Sequence, residues 1–203
     1  MPVTRDSVLA ALDAIAVPGG TLVSRDMVRA LTVEGGAVRF VIEAPSAEQA
    51  RLMEPLGVQT EYVPDGVMLR RVAERSVRVA MNFTDCPDLA QTIAVAAAAT
   101  GVVVDMTGLE SLRIKETDRI SALQTELAKF GARMTAEGKD MFRVSADALH
   151  VGGQAVETYH DHRMAMAFAP LALRGPLTIE APAVVRKSYP FFWEELRQAG
   201  FQL

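Results

Sequence analysis

The chain has 203 residues, 50% of them hydrophobic and 23% charged, with a formal net charge of −4. That length holds one ordinary domain, or one and a small appendage, and the acidic balance argues against a general nucleic-acid binder, whose surface must answer phosphate with Lys and Arg. A single cysteine, Cys86, excludes an intramolecular disulfide and a cysteine-rich metal site, no apolar run approaches the roughly 20 residues of a membrane span, and the start lacks the pattern of a signal peptide, so a cytoplasmic protein is expected.

Val8, Leu9, Leu12 and Ile15 fall on one face of a short helix over 7–15, broken by Pro18-Gly19-Gly20. Leu31-Thr32-Val33 and the run 37–42 flank Glu34-Gly35-Gly36 and predict a hairpin, glycine being what a tight turn with positive φ needs. Ser46 with Gln49 three residues later forms a capping box, starting a helix that ends near Leu56-Gly57. The runs 60–63 and 67–70 bracket Pro64-Asp65-Gly66 as a second hairpin, and 77–81 reads as a strand. Pro87 suits the first position of a helix and Asp88 its first turn. The body of that helix, 89–99, is small and apolar nearly all round, which places it inside a domain with neighbours on every side.

A strand of buried type over 102–106 leads to the stretch Leu112-Arg113-Ile114-Lys115-Glu116-Thr117-Asp118-Arg119. Ile120, Leu123, Leu127 and Phe130 then recur at helical spacing, and Gly131 stops the helix. Free backbone N–H groups and the helix dipole favour an anion at such a start. Lys115 and Arg119 are cations four residues apart that would repel on a bare surface, which also points to a bound anion. The competing reading is a solvated helix start whose mixed charges face water.

Arg133-Met134 and 141–144 pair around Glu137-Gly138-Lys139. Tyr159-His160-Asp161-His162-Arg163 leads into an apolar helix over 164–173 that contains Pro170; a strand follows at 177–180, and a last helix spans 191–199. The cycle of strand, charged loop and helix thus recurs around Asp88, Arg119 and Arg163, and helix starts facing one side would make an anion-binding rim. His160 and His162 lack the further ligands of a zinc site. No metal or organic cofactor is expected.

Pro87-Asp88-Leu89-Ala90-Gln91-Thr92, the run 112–131, Asp161-His162-Arg163-Met164-Ala165-Met166 and Lys187-Ser188-Tyr189-Pro190 together resemble the C-terminal half of the 3-phosphoshikimate 1-carboxyvinyltransferase (enolpyruvylshikimate-phosphate synthase) family, over about residues 57 to 203. The resemblance implies an α/β fold, one lobe of the enolpyruvyl transferase architecture, with mixed sheets around buried, roughly parallel helices. It implies transfer of the enolpyruvyl group of phosphoenolpyruvate to the 5-hydroxyl of shikimate 3-phosphate, with release of phosphate. Asp88 and Glu116 take the catalytic positions; Ser111 and Lys115 match contacts to shikimate 3-phosphate; Arg119, Arg163 and Lys187 match the cations that hold phosphoenolpyruvate, and His162 adjoins that site. The Lys-Glu-Thr-Asp-Arg run favours this enzyme over its sibling, the UDP-N-acetylglucosamine enolpyruvyl transferase. The chemistry agrees: Arg forks bind carboxylate and phosphate bidentately, and proton transfers need carboxylates held at different pKa values.

The lysine, arginine and Ser-Ser-Gln-type segment of the family's other lobe are not found. A half-enzyme is therefore expected, poorly active alone and in need of a complementary N-terminal lobe. Residues 1–56 instead resemble the N-terminal domain of Mrp-type iron-sulfur carrier ATPases, on Val3-Thr4-Arg5, the run 8–12, the run 22–28 and Val41-Ile42-Glu43. The expected domains are accordingly 1–56 and 57–203, in a fusion or truncated product whose strand at 38–42 and helix at 46–56 are able to pack into the second domain. A second class of function, a non-catalytic binding or assembly module in iron-sulfur delivery, follows from that segment. It contains no cysteine and no nucleotide-binding glycine loop, so neither cluster ligation nor ATPase activity is carried over.

Overall fold

The computed structural model describes residues 51–63 and 66–203, together with Leu9, Asp13, 16–17, 20–21, 28–34 and 37–42. The chain divides into two compact units, Met1–Ala50 and Arg51–Leu203. In the first, β1 (Ala16–Val17) pairs antiparallel with β2 (Gly20–Thr21), and β3 (Val28–Glu34) pairs antiparallel with β4 (Ala37–Ile42). Glu34, expected in the turn, is the last residue of β3 and lies opposite Ala37, and Gly35-Gly36 lie outside the described residues. Leu9 and Asp13 are helical. The rest of the expected helix over 7–15, and positions 46–50 of the capping-box helix, lie outside the described residues.

The second unit opens with a 3-10 helix, Arg51–Leu56, where the sequence predicts the end of an α-helix. Pro55 inside it has no N–H to offer an α-helical bond. Leu56 is buried, and Leu52 and Met53 pack against the core of this unit. β5 (Val58–Val63) and β6 (Gly66–Arg71) form the second hairpin, closing with Val63 opposite Gly66.

A four-stranded sheet of order β7-β8-β10-β9 forms the framework. β7 (Arg78–Asn82) and β8 (Val103–Thr107) are parallel, while β10 (Met141–Ala146) runs antiparallel to β8 and to β9 (Ala132–Ala136). β11 (Gln154–Val156) and β12 (Leu177–Ile179) make a separate parallel pair. Parallel neighbours need a crossover. The first crossover is α1 (Ala90–Thr100), and the second contains α3 (His162–Phe168). The α/β class with mixed sheets is the one expected. β11 was not legible, three residues being too few to display an alternation.

α1 is buried as its composition demands, with Ile93, Val95 and four alanines inside, and it packs against α3 and α2 (Arg119–Lys129). Gln91 is the exception on α1: its side-chain amide is fully buried and meets no hydrogen-bonding partner among the described residues.

The apolar run 164–173 departs from a single α-helix. α3 ends at Phe168 and the chain continues as a 3-10 helix, Ala169–Leu173, because Pro170 removes a donor and crowds the preceding turn. Ala169 and Leu171 face inward, but Pro170, Ala172 and Leu173 are exposed, so cover on most faces holds for α3 and not for its continuation. α4 (Phe192–Gln198) closes the unit with no residue buried.

Candidate functional site

α2 begins where the Asp118 carboxylate accepts hydrogen bonds from the backbone N–H of Ile120 and Ser121, at 3.1 and 3.2 Å. That is a side-chain N-cap. The helical spacing read from the sequence sends Ile120, Leu123 and Leu127 into the core, and it takes Arg119, the first residue, inside with them at 1% exposure. A guanidinium so placed needs partners for its donors.

Three carboxylates supply them. Arg119 Nε donates to Asp161 Oδ2 at 2.6 Å, Nη1 to Asp88 Oδ1 at 2.8 Å and Nη2 to Glu116 Oε2 at 2.7 Å. Asp88 comes from the turn Pro87–Leu89 ahead of α1, Glu116 from the loop before α2, and Asp161 from the position before α3. A second tier of cations sits on the far side of these carboxylates. Arg163 Nη2 donates to Asp88 Oδ2 at 3.0 Å and its Nη1 to the Asp88 carbonyl at 3.1 Å. Lys187 Nζ lies 2.8 Å from Glu116 Oε1, and Lys115 Nζ 3.9 Å from Asp88 Oδ1. Four cations against three carboxylates leave the cluster with one net positive charge.

Six of the eight residues singled out in the sequence therefore meet: Asp88, Lys115, Glu116, Arg119, Arg163 and Lys187. Ser111 is half-buried in the 3-10 helix Glu110–Ile114, four residues before Lys115, and takes no part in these ion pairs. His162, the first residue of α3, is 7% exposed, and its Nδ1 has no hydrogen-bonding partner among the described residues. Burial holds its imidazole below the usual histidine range, and the nearby Lys187 and Arg163 charges push the same way against Asp161. The balance favours the neutral ring.

The repulsion argument for a bound anion needs revision. Lys115 and Arg119 are each already set against carboxylates of the chain itself, so their proximity alone does not demand a ligand. Sequence reasoning also passed over Asp161, which is fully buried. An Asp directly before an apolar helix reads as an N-cap, and Oδ1 does accept the Arg163 N–H at 2.8 Å. Its other oxygen, on an arginine 42 residues earlier in the chain, has no local signal.

The hydrogen bond from Lys187, with further help from the backbone and Arg119, holds the Glu116 carboxyl down at about 2. An unfolded Glu titrates near 4.3, so between these values the unfolded chain binds more protons and stability falls with falling pH. The Glu116 contribution is complete above pH about 4.5 and lost as pH drops through about 2. The melting temperature of the parent minus that of Glu116→Gln is accordingly expected to be positive at pH 7 and to shrink across that window in pH-dependent melts. A difference constant with pH would contradict the pairing.

Among the described residues, no group of three or more His, Cys, Asp or Glu side chains is arranged to hold a metal ion, and no helix is long and apolar enough to cross a membrane.

Residues 32–196 match the family model of EPSP synthase (3-phosphoshikimate 1-carboxyvinyltransferase). A 3-phosphoshikimate 1-carboxyvinyltransferase of Bacteroides fragilis is 46% identical over 156 residues, which are 75% of this chain and 38% of that protein. One of Aliivibrio fischeri is 31% identical over 203 residues, 94% of this chain and 47% of that protein. This chain thus spans less than half the length of these relatives. Among solved structures, an EPSP synthase from Acinetobacter baumannii superposes with a TM-score of 0.60 at 19% identity, covering 98% of this chain and 55% of that one. The enolpyruvyl transferase NikO from Streptomyces tendae superposes with a TM-score of 0.57 at 19% identity, over 76% of this chain and 35% of that one. The structural likeness establishes the fold, and the sequence match over most of the chain establishes the kinship: this chain belongs to the EPSP synthase (3-phosphoshikimate 1-carboxyvinyltransferase) family.

Proposed function

We propose that this chain carries one half of the site for enolpyruvyl transfer from phosphoenolpyruvate to the 5-hydroxyl of shikimate 3-phosphate, with release of phosphate, and that a complementary N-terminal lobe supplies the rest. The observation that carries this reading is the buried Arg119 binding Asp88, Glu116 and Asp161 at once, with Arg163 and Lys187 on the outer side. Arg119, Arg163 and Lys187 take the carboxylate and phosphate of phosphoenolpyruvate, and Lys115 and Ser111 the phosphate of shikimate 3-phosphate. The lobe comprises 57–203 together with the 3-10 helix Arg51–Leu56, whose Leu52, Met53 and Leu56 pack on its core.

In the free chain these cations are occupied by Asp88 and Glu116, so an arriving anion competes with the carboxylates rather than filling an open charge. That competition bears on the proton transfers. Asp88 accepts the proton of the 5-hydroxyl as the oxygen attacks the substituted carbon of phosphoenolpyruvate, while protonated Glu116 gives its proton to the methylene carbon. Elimination then returns a proton from that carbon to Glu116 as the C–O bond to phosphate breaks, and the proton held by Asp88 leaves with the phosphate. Glu116 carries this proton when its pKa rises from about 2. Drawing Lys187 and Arg119 onto the substrate raises it, because those cations are what stabilise the carboxylate.

Ligands that bind the native state raise its melting temperature by mass action; at 100 times Kd the gain is about 2.7 kcal/mol, or roughly 5–10 °C for a domain of this size. Shikimate 3-phosphate and phosphoenolpyruvate together are expected to produce such a rise in a thermal-shift titration. The same melt with inorganic phosphate alone should move less. No rise with both substrates at millimolar concentration would sink the reading.

A further inference from the structure

Tyr159 and His160 both have left-handed backbone conformations, at φ 52 and 58°, although neither is glycine. Residues of this kind persist where their surroundings over-determine them. The pair stands directly before Asp161, His162 and Arg163, so any relaxation of the turn re-aims the residues that meet Arg119 and Asp88.

What holds the turn lies on α2. Glu126 is fully buried, its Oε1 accepting the Tyr159 hydroxyl at 2.9 Å and its Oε2 the Glu157 N–H at 3.2 Å. Lys129 Nζ, 2.7 Å from the same Oε2, balances the charge. Arg119 and Glu126 are seven residues apart on one helix, hence on nearly the same face and about two turns distant. That face grips the segment 157–161 twice: Glu126 takes Glu157 and Tyr159, and Arg119 takes Asp161. Between the two grips, the Asp161 N–H donates to the Thr158 carbonyl at 2.8 Å.

We infer that Glu126 and Tyr159 are positioning residues for the anion-binding cations, acting through the 158–161 turn to seat Asp161 on Arg119 and to hold Arg163 against Asp88. Neither touches the substrates. The consequence for phosphoenolpyruvate affinity rests on the proposed function; the effect on the Arg119 guanidinium does not.

The test uses the 203-residue chain with Tyr159→Phe, which deletes one hydroxyl, and Glu126→Asp, which keeps the charge but withdraws the acceptor by one methylene. Val144→Ala, a truncation of a buried side chain in β10, serves as the stability control. Three quantities are read: the melting temperature, the ¹⁵N-resolved Arg119 Nε–H signal, and phosphoenolpyruvate affinity by calorimetry. Both turn variants are expected to shift or broaden the Arg119 signal and to weaken phosphoenolpyruvate about tenfold, the loss that one hydrogen bond to a charged group brings. Val144→Ala should lower the melting temperature at least as far while leaving signal and affinity in place. An Arg119 signal unmoved in Tyr159→Phe and Glu126→Asp overturns the inference, as does an equal shift in Val144→Ala. If the parent chain binds no phosphoenolpyruvate, the proposed function fails, and the Arg119 signal alone decides the role of the turn.

Discussion

Arg119→Leu is expected to lower the melting temperature by about 10 °C, the largest stability loss of any single change at this site. Asp161 is fully buried and Arg119 is its charged partner, so removing the guanidinium leaves an uncompensated carboxylate in the interior. Breaking a buried pair from one side costs about 3–5 kcal/mol, and each kcal/mol moves the transition of a domain this size by roughly 2–4 °C. Asp88 and Glu116 aggravate the loss, since both converge on the same guanidinium and repel each other once it is gone. The double variant Arg119→Leu/Asp161→Asn should recover much of it. Asn removes the buried charge yet still caps α3 by accepting the Arg163 N–H. A double variant melting below the single one would mean that packing, not charge, makes this cluster stable. Calorimetric melts of the four proteins of the cycle give the coupling directly.

The second large effect is on turnover. With phosphoenolpyruvate and shikimate 3-phosphate, this polypeptide by itself is expected to release no phosphate above background, and release should appear when an N-terminal lobe of a related synthase, expressed separately, is added. Holding two substrates in attack geometry away from water supplies about 7–11 kcal/mol of barrier reduction. The chain spans 38–47% of the length of two relatives, and on the proposed reading a complementary lobe brings the remaining groups. In the reconstituted mixture, Asp88→Asn and Glu116→Gln are each expected to lower the rate by about 10²–10⁴, the usual scale for loss of a proton-transfer group. Both variants keep the size of the side chain, and since losing a carboxylate that competes for these cations does not weaken an incoming anion, a loss of rate in mixtures saturated with both substrates, below the melting temperature of each variant, would locate the defect in chemistry. Substantial phosphate release by the chain alone would overturn the half-site reading.

Local pattern determined the elements that depend on local physics. The all-apolar composition of 89–99 announced a buried helix; the spacing of Ile120, Leu123 and Leu127, with Gly131 behind them, marked α2; and the motif residues picked out six of the side chains that gather in the cluster. Each of these rests on a period of 3.6, a turn residue or a short motif, all visible within a dozen positions. Pro170 was visible too, but its weight was misjudged: it converts the run after Phe168 into a 3-10 helix with an exposed flank.

Only the tertiary structure decided who is paired with whom. That Arg119 is buried, that Asp88 and Arg163 meet across 75 residues, that Glu126 takes the Tyr159 hydroxyl across 33, and that Asp161 is a ligand of Arg119 as well as a helix cap are consequences of α1, α2 and α3 being packed together. Partners far apart in the chain leave no periodic trace, since ion-pair geometry depends on where helix starts converge. The sequence set two cations, Lys115 and Arg119, four residues apart, and their proximity pointed to a bound anion. The fold shows them already answered by carboxylates of the same chain, which turns anion binding into a competition and gives Glu116 its low pKa.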